Sequence, residues 1–369
     1  MSNKLALSAP DEYLNHQFAL PHQVVASSDP NWRERYWISL FDTHSKDTVL
    51  TLGVGKYPNR DVMDNYAILS RGGKQRNLRA SRQLLPFNDQ IFAGPFSIEI
   101  GEPLKTLHLR LDKNETDVEY DLTWHGSVPP ALEGNHFEVS RGRVTHQISR
   151  YVQTGQVSGT IRCGDEQIEV TPDRWWGVRD HSWGIRPMSG GQGEPPVASV
   201  QWNLMAFCPI RFPDFSLHIY LFESQRGRPT HLTAAIMRPE GSGEFDEEIR
   251  QVSHDFSWRE QAPTQTLIGG QIRIEFYSGK VMEIDVKACA GRAFLKGGGY
   301  DWFFGKWWGE SHVEHDVWDL TDTASLRGFN SHASDHLIEA TCEGQTGFGI
   351  IEYLIRRGYD AYPDAHFRR

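Results

Sequence analysis

The segment RWWGVRDHSWGIRP (174–187) concentrates residue types that move protons and hold cations. An imidazole, here His181, can give or take a proton near neutral pH. Two positions on, Trp183 offers an indole face that can steady a developing carbocation. If the stretch is a β-strand, alternation sends Arg179, His181 and Trp183 to one face and Asp180 and Ser182 to the other. His181 is then the expected proton donor or acceptor and Trp183 the expected cation-stabilising wall. Asp180, turned away from its neighbour, is expected to brace the motif through an arginine or backbone amides. The competing reading is a buried tryptophan corner tied by an Arg–Asp pair, with no chemistry.

The elements that must position these residues read as strands. LHLRL (107–111) and VEYDLTW (118–124) alternate around the turn DKNETD, and RYVQTGQVSGTIR (150–162) and QIEV surround CGDE. Both are hairpin patterns. QIRIEFY and VMEIDVKA join through SGK, a glycine turn suited to a third. FSLHIYLF (215–222) alternates as well. Helical periodicity is confined to two short candidates, SDHLIEATC and DEYLNHQF. A mainly antiparallel β chain follows, built as two barrels or sandwiches. The Gly/Pro-rich PMSGGQGEPP (187–196) is the expected joint, giving lobes over 1–187 and 197–369. WWG at 175–177 and again at 307–309 suggests related lobes.

Composition narrows the function classes. The 369 residues include 38 Lys and Arg against 48 Asp and Glu, a net charge of −10. No basic stripe stands clear of acidic neighbours, so nucleic acid is not an expected partner. Twelve Trp and 19 Phe favour an apolar ligand. The four cysteines form no C-x-x-C pair, which fits a reducing compartment. No leader-like or membrane-spanning run is evident, so a cytoplasmic location and no integral membrane segment are expected. GQTGFG departs from G-x-G-x-x-G, and neither a P-loop nor a G-x-S-x-G elbow occurs. Histidines pair at HVEH (312–315) and HASDH (332–336). On a helix, His332 and His336 would share a face with Glu339 nearby, but H-E-x-x-H is not matched and no metal is expected.

GVRDHSWGIRP, with SDPNWRERYWISLFD, YPNRDVMDNYAIL, RYVQTGQVSGTIR and the closing GFGIIEYLIRRG, resembles the carotenoid 1,2-hydratase (hydroxyneurosporene synthase) and AttH-like group, in its R-D-H-S-W-G branch. The resemblance covers most of the chain and is densest from about 28 to 187. It implies two tandem lipocalin-like antiparallel β-barrels. It also implies a cavity lined by a His-x-Trp pair, matched by His181 and Trp183, and by a later Tyr-x-Asp. That second pair is absent from AFCPIRF, where its spacing would put it. Tyr362 and Asp364 flank a proline near the C-terminus, and Tyr220 and Glu223 are stand-ins whose spacing puts them on opposite faces.

The expected function is a cofactor-independent, acid–base enzyme of hydratase/lyase type on a hydrophobic unsaturated molecule such as an isoprenoid or polyketide. Isomerisation or cyclisation needs the same parts. Trp176, Arg179, Trp202 and Tyr220 are the expected substrate contacts. The rival class is a non-catalytic carrier, distinguished by whether ionisable side chains converge in the cavity.

Overall fold

Alternating apolar and polar positions become extended backbone almost wherever they occur. The computed structural model describes residues 7–14, 16, 27–140, 142–186, 202–242, 247–259, 266–300, 302–322, 333–363 and 365. Among these the only helices are three 3-10 turns, Ala9–Glu12, Pro58–Arg60 and Leu295–Gly298. The chain opens with β1 (Trp32–Asp42), β2 (Val49–Tyr57), β3 (Val62–Arg71), β4 (Lys74–Gln83), β5 (Ile91–Ala93) and β6 (Phe96–Ile100). Next come β7 (Thr106–Leu111), β8 (Val118–Gly126), β9 (Ala131–Leu132), β10 (His136–Ser140), β11 (Arg143–Cys163), β12 (Glu166–Val170) and β13 (Trp175–Ile185). The second half holds β14 (Leu204–Phe207), β15 (Ile210–Arg211), β16 (Ser216–Glu223), β17 (Pro229–Met237) and β18 (Ile249–Trp258). It closes with β19 (Leu267–Phe276), β20 (Val281–Phe294), β21 (Ser311–Asp319), β22 (Ser334–Cys342) and β23 (Gln345–Ile355).

These strands form tandem lipocalin-like antiparallel barrels. The first sheet runs β21-β4-β3-β2-β1-β13-β11-β8-β7-β6-β5, and the second β14-β16-β15-β23-β22-β20-β19-β18. The three hairpins expected from turn chemistry are present as β7–β8, β11–β12 and β19–β20. β21 belongs to the second half of the sequence yet extends the first sheet alongside β4. Three apolar clusters result. One fills the first barrel around Leu40, Leu52, Leu109 and Trp124, and one fills the second around Ile274, Ile284 and Ile351. The third lies between the sheets and includes Trp37, Tyr66, Phe207 and Leu337. Burial of apolar area in all three is the main term holding the lobes together.

Several expectations are corrected. SDHLIEATC is not a helix but β22. Its positions 334–338 are all buried, because the strand is covered on both faces, and continuous burial erases the alternation that marks a one-sided strand. His336 and Glu339 therefore point to opposite faces, His336 to the Cys289 carbonyl and Glu339 to Lys46. His332 lies outside the described residues. DEYLNHQF supplies only the end of the first 3-10 turn, and its residues 15, 17 and 18 are also outside the described set. Trp175 and Trp176 sit within β13, whereas Trp307 is 54% exposed in the loop before β21, so the two WWG motifs are not equivalent. The joint at 187–196 falls outside the described residues. Among the described helices none is long and apolar enough to cross a membrane.

Candidate active site

β13 lies between β1 and β11, with His181 opposite Tyr36 on one side and Tyr151 on the other. Its alternation is regular, so one strand serves two compartments. Arg179, His181 and Trp183 enter the first barrel, while Trp176, Asp180 and Ser182 face the second sheet.

Inside the barrel the three side chains join a dense polar cluster. Arg179 makes a two-pronged bridge to Glu12, at 2.8 and 2.9 Å, and also holds Gln153. Tyr151 donates its hydroxyl hydrogen to the same Glu12. His181 is fully buried, with its ring edge-on to Tyr36 at 4.6 Å and its Nε2 3.8 Å from a Glu34 oxygen. Neither ring nitrogen has a hydrogen-bond partner among the described residues. Burial pushes its pKa down, against the pull of Glu34, so a neutral imidazole is favoured. Burial would raise Glu34, but His16 and His181 outweigh it and keep the carboxylate ionised. Trp183 stacks on His16, with centroids 3.7 Å apart and planes 7° from parallel. His16, Glu34 and His181 each offer one ligand atom, all within 4.8 Å of one another. Among the described residues this is the one trio able to hold a divalent cation. Tetrahedral zinc ligands stand only about 3.4 Å apart, so the trio would have to contract around an ion.

The cleft lies on the other face. Between the sheets a space of about 560 Å³, mouth included, is lined by Arg35, Trp37, Arg150, Asp180, Ser182, Arg186, Phe207, Tyr220, Tyr300 and Glu352 among others. Its interior has room for several waters. A larger depression along Tyr13, Leu14 and residues 88–92 and 97–100 offers only two exposed carboxylates, Asp89 and Glu99. It has nothing poised to transfer a proton. His181 lines neither.

Glu352, on β23, is the group that distinguishes the cleft. Burial raises its pKa well above the usual carboxylate range, and Asp335 and Asp180 add to the effect against Arg150. Asp335 is itself pushed up to about 7 by burial, although Thr51 and the Trp37 indole donate to it. Two carboxyls this close, both poorly solvated, do not readily ionise together, so a proton is favoured on the pair. Asp180 is raised by burial and restrained by Arg150, whose Nε lies 3.3 Å away. Arg150 also meets Glu133 at 3.6 Å and lies over the Tyr220 ring at 4.7 Å. Asp180 therefore faces away from His181 and pairs with an arginine, but it does so as part of the cleft wall. The wall itself is mixed: Trp37, Phe207, Tyr220 and Tyr300 alternate with three arginines and two carboxyls, a more polar lining than the tryptophan count suggests.

The expected substrate contacts divide. Tyr220 lines the cleft. Trp202 reaches it only through Phe222, at 5.6 Å, and is covered by Arg356. Trp176 packs on Arg211 and Phe348, and Arg179 is in the barrel. Glu223 turns into the second barrel toward Tyr359 and His254, on the opposite face from Tyr220. Glu352, Arg35, Arg150 and Asp335 were not singled out from the sequence. The available signal was a carboxylate inside the apolar run FGIIEYLI and two arginines alternating within WRERYW. On β2, a Cβ on Gly53 would sit 2.4 Å from the Tyr66 ring, and one on Gly55 2.6 Å from Tyr57 and Asp64, so both positions require glycine.

Burial pushes Asp64 up to about 7, against Arg35 and the Gly305 amide. A raised carboxyl pKa means that the folded chain keeps a proton the unfolded chain has lost, so stability falls as pH rises from about 4 to about 7 and is level above that. Asp64→Asn is expected to flatten part of this slope and to raise the urea midpoint at pH 8 more than at pH 5. An unchanged slope would mean that Asp64 titrates normally.

No curated protein matches the chain in sequence. Among solved structures, a candidate AttH from Nitrosomonas europaea aligns with a TM-score of 0.53 at 13% identity, over 93% of this chain and 97% of that one. CghA with Sch210972 aligns at a TM-score of 0.46 and 11% identity, over 89% of each chain. The first match establishes an AttH-like fold; at this identity it carries no information about reaction. A family model, described as a family of unknown function (DUF8625), matches residues 7–361. The chain belongs to that family.

Proposed function

We propose that the protein is an acid–base enzyme acting on a hydrophobic, unsaturated small molecule, and that it adds or removes water across a C=C bond in the cleft between the sheets. The observation that carries this reading is Glu352, a half-buried carboxyl whose pKa is raised well above the usual range where it opens among aromatic side chains. Such an acid donates its proton to one alkene carbon. The cation left on the other carbon faces Trp37, Phe207 and Tyr220, whose π faces stabilise it. A water from the inner end of the cleft adds to that carbon, and its surplus proton passes to the Glu352 carboxylate, restoring the acid. The sum is alkene plus water to alcohol. No oxidation state changes, so the step needs no redox cofactor.

A second reading keeps the proton transfer at His181, with Trp183 as the cation-stabilising wall. Its support is the pair of unsatisfied His181 nitrogens beside Glu34. The test is incubation with acyclic isoprenoid alkenes and the matching tertiary alcohols in ¹⁸O-water, followed by mass spectrometry. Enzyme-dependent gain or exchange of one labelled oxygen is expected. Tight binding with no exchange by any substrate would leave a carrier, and the enzyme reading would fall. His181→Phe, which swaps a polar ring for an apolar one of similar bulk, is expected to keep most turnover under the cleft reading. Loss of about 10²–10⁴-fold would favour the second.

A further inference from the structure

Arg35 and Arg186 line one end of the cleft with Arg33 beside them, and none of the three is in an ion pair among the described residues, although Asp64 and Asp180 act on Arg35 from farther off. Arg33 and Arg35 lie two apart on β1 and so project to the same face, opposite Gly184 and Ser182 of β13. Arg186 follows directly after β13, exposed at the mouth. Arg33 and Arg35 are only 7% and 9% exposed. Four other enclosed arginines are matched, while Arg211 and Arg292 donate to uncharged acceptors. Arg79 meets Glu314 and Asp316, Arg150 meets Glu133 and Asp180, Arg179 meets Glu12, and Arg82 is surrounded by main-chain carbonyls. No carboxylate among the described residues lies within ion-pair distance of Arg33, Arg35 or Arg186, and none of the three side chains has a hydrogen-bond acceptor there. The Arg35 guanidinium lies over the Phe304 ring at 4.2 Å and the Tyr300 ring at 5.2 Å, and its Nε is buried without a partner.

Stacking holds a guanidinium by its face and leaves the in-plane N–H donors free, which is the geometry that grips a carboxylate or phosphate two-pronged. Like charges brought together in a dry site repel, and Arg33 shows it. Burial first, then Arg186 and Arg35, pull its pKa down to about 9. A buried charge without an ion pair costs stability, so Arg33, with two like charges beside it, is costly unless something negative comes to the cluster.

We propose that Arg33, Arg35 and Arg186 form the receptor for the oxyanion end, a carboxylate or phosphate ester, of an amphipathic substrate whose apolar part lies along the aromatic wall. This rests on the cleft reading for the apolar part alone; the anion site stands on the arginines. It also orients the substrate. With the head at Arg35 and Arg186, the chain runs inward past Tyr300 toward Trp37 and Glu352, so one double bond is selected by its distance from the head.

Titration calorimetry of the full-length protein with decanoate, decyl phosphate and decanol separates head from tail. At least one anion is expected to bind about ten- to a hundredfold tighter than decanol, as charge-assisted hydrogen bonds to a desolvated head would give. Raising the salt should weaken that preference, and the tighter of the two anions identifies the head group. Arg35→Met with Arg186→Met should abolish the preference while leaving decanol binding in place. Arg35→Gln, which keeps a donor without the charge, is the alternative should the double variant fail to fold. Arg33→Met should raise the melting temperature of the ligand-free protein by a few degrees, whereas an arginine that supports the fold would lower it. Equal affinity for all three probes, or an anion preference that survives the double variant, overturns the inference, as does the absence of any anion binding. If decanol fails to bind but inorganic phosphate binds in an Arg35-dependent manner, the anion site stands and the hydrophobic-substrate reading fails.

Discussion

Glu352→Gln is expected to lower turnover by about 10²–10⁴-fold while leaving the fold intact. The amide has the shape of the protonated carboxyl and can occupy the same place beside Asp335, but it has no acidic proton to give. Two further readouts separate a proton donor from a merely positioned side chain. The alkaline limb of the pH–rate profile should disappear with the acid that sets it. Asp335, pushed up to about 7 by burial and held down in part by a hydrogen bond from the Glu352 carboxyl, should titrate little changed, because the amide can donate the same bond. Asp335→Asn, by contrast, should shift the alkaline limb and reduce the rate less. Full activity in Glu352→Gln, together with an inactive His181→Phe, would transfer the chemistry to the barrel interior.

The largest stability effect is expected at Glu12. Its carboxylate is completely buried and bridges Arg179, the Tyr151 hydroxyl and the Leu104 amide. Burial alone would raise its pKa, but Arg179 outweighs that and keeps it below the usual value. Glu12→Gln preserves the size and removes the charge, leaving the fully buried Arg179 guanidinium without a counter-ion. Breaking one side of a buried pair typically costs about 3–5 kcal/mol. A corresponding fall in the urea midpoint is expected, with the denaturant slope unchanged. Replacing both partners, Glu12→Leu with Arg179→Met, should recover most of the loss, because neither charge then needs solvation. If Glu12→Gln were neutral, the 3-10 turn Ala9–Glu12 would not be the anchor over the barrel that its hydrogen bonds describe.

The hairpins, the predominance of strands and the opposed directions of Asp180 and His181 were legible in the sequence, because each depends on local backbone geometry. A turn needs particular residues at its centre, and a strand sends successive side chains to opposite faces whatever surrounds it. β22 shows where that local logic fails. Its burial comes from both sides, from elements distant in sequence, and so its pattern looked helical. The same limit applies to the site. Period two put His181 and Trp183 together, but it is silent on which face of β13 meets open space. That is decided by how the second sheet docks. Docking brings Glu352 from β23, Tyr220 from β16 and Tyr300 from the loop before β21 against Arg35, Arg150 and Asp180 of the first sheet. Desolvation of those side chains exists only in the assembled molecule. Their raised carboxyl pKa values and unpaired arginines therefore arise from tertiary packing, while the residue types that respond to it were already written in WRERYW, VRDHSW and GIIEYL.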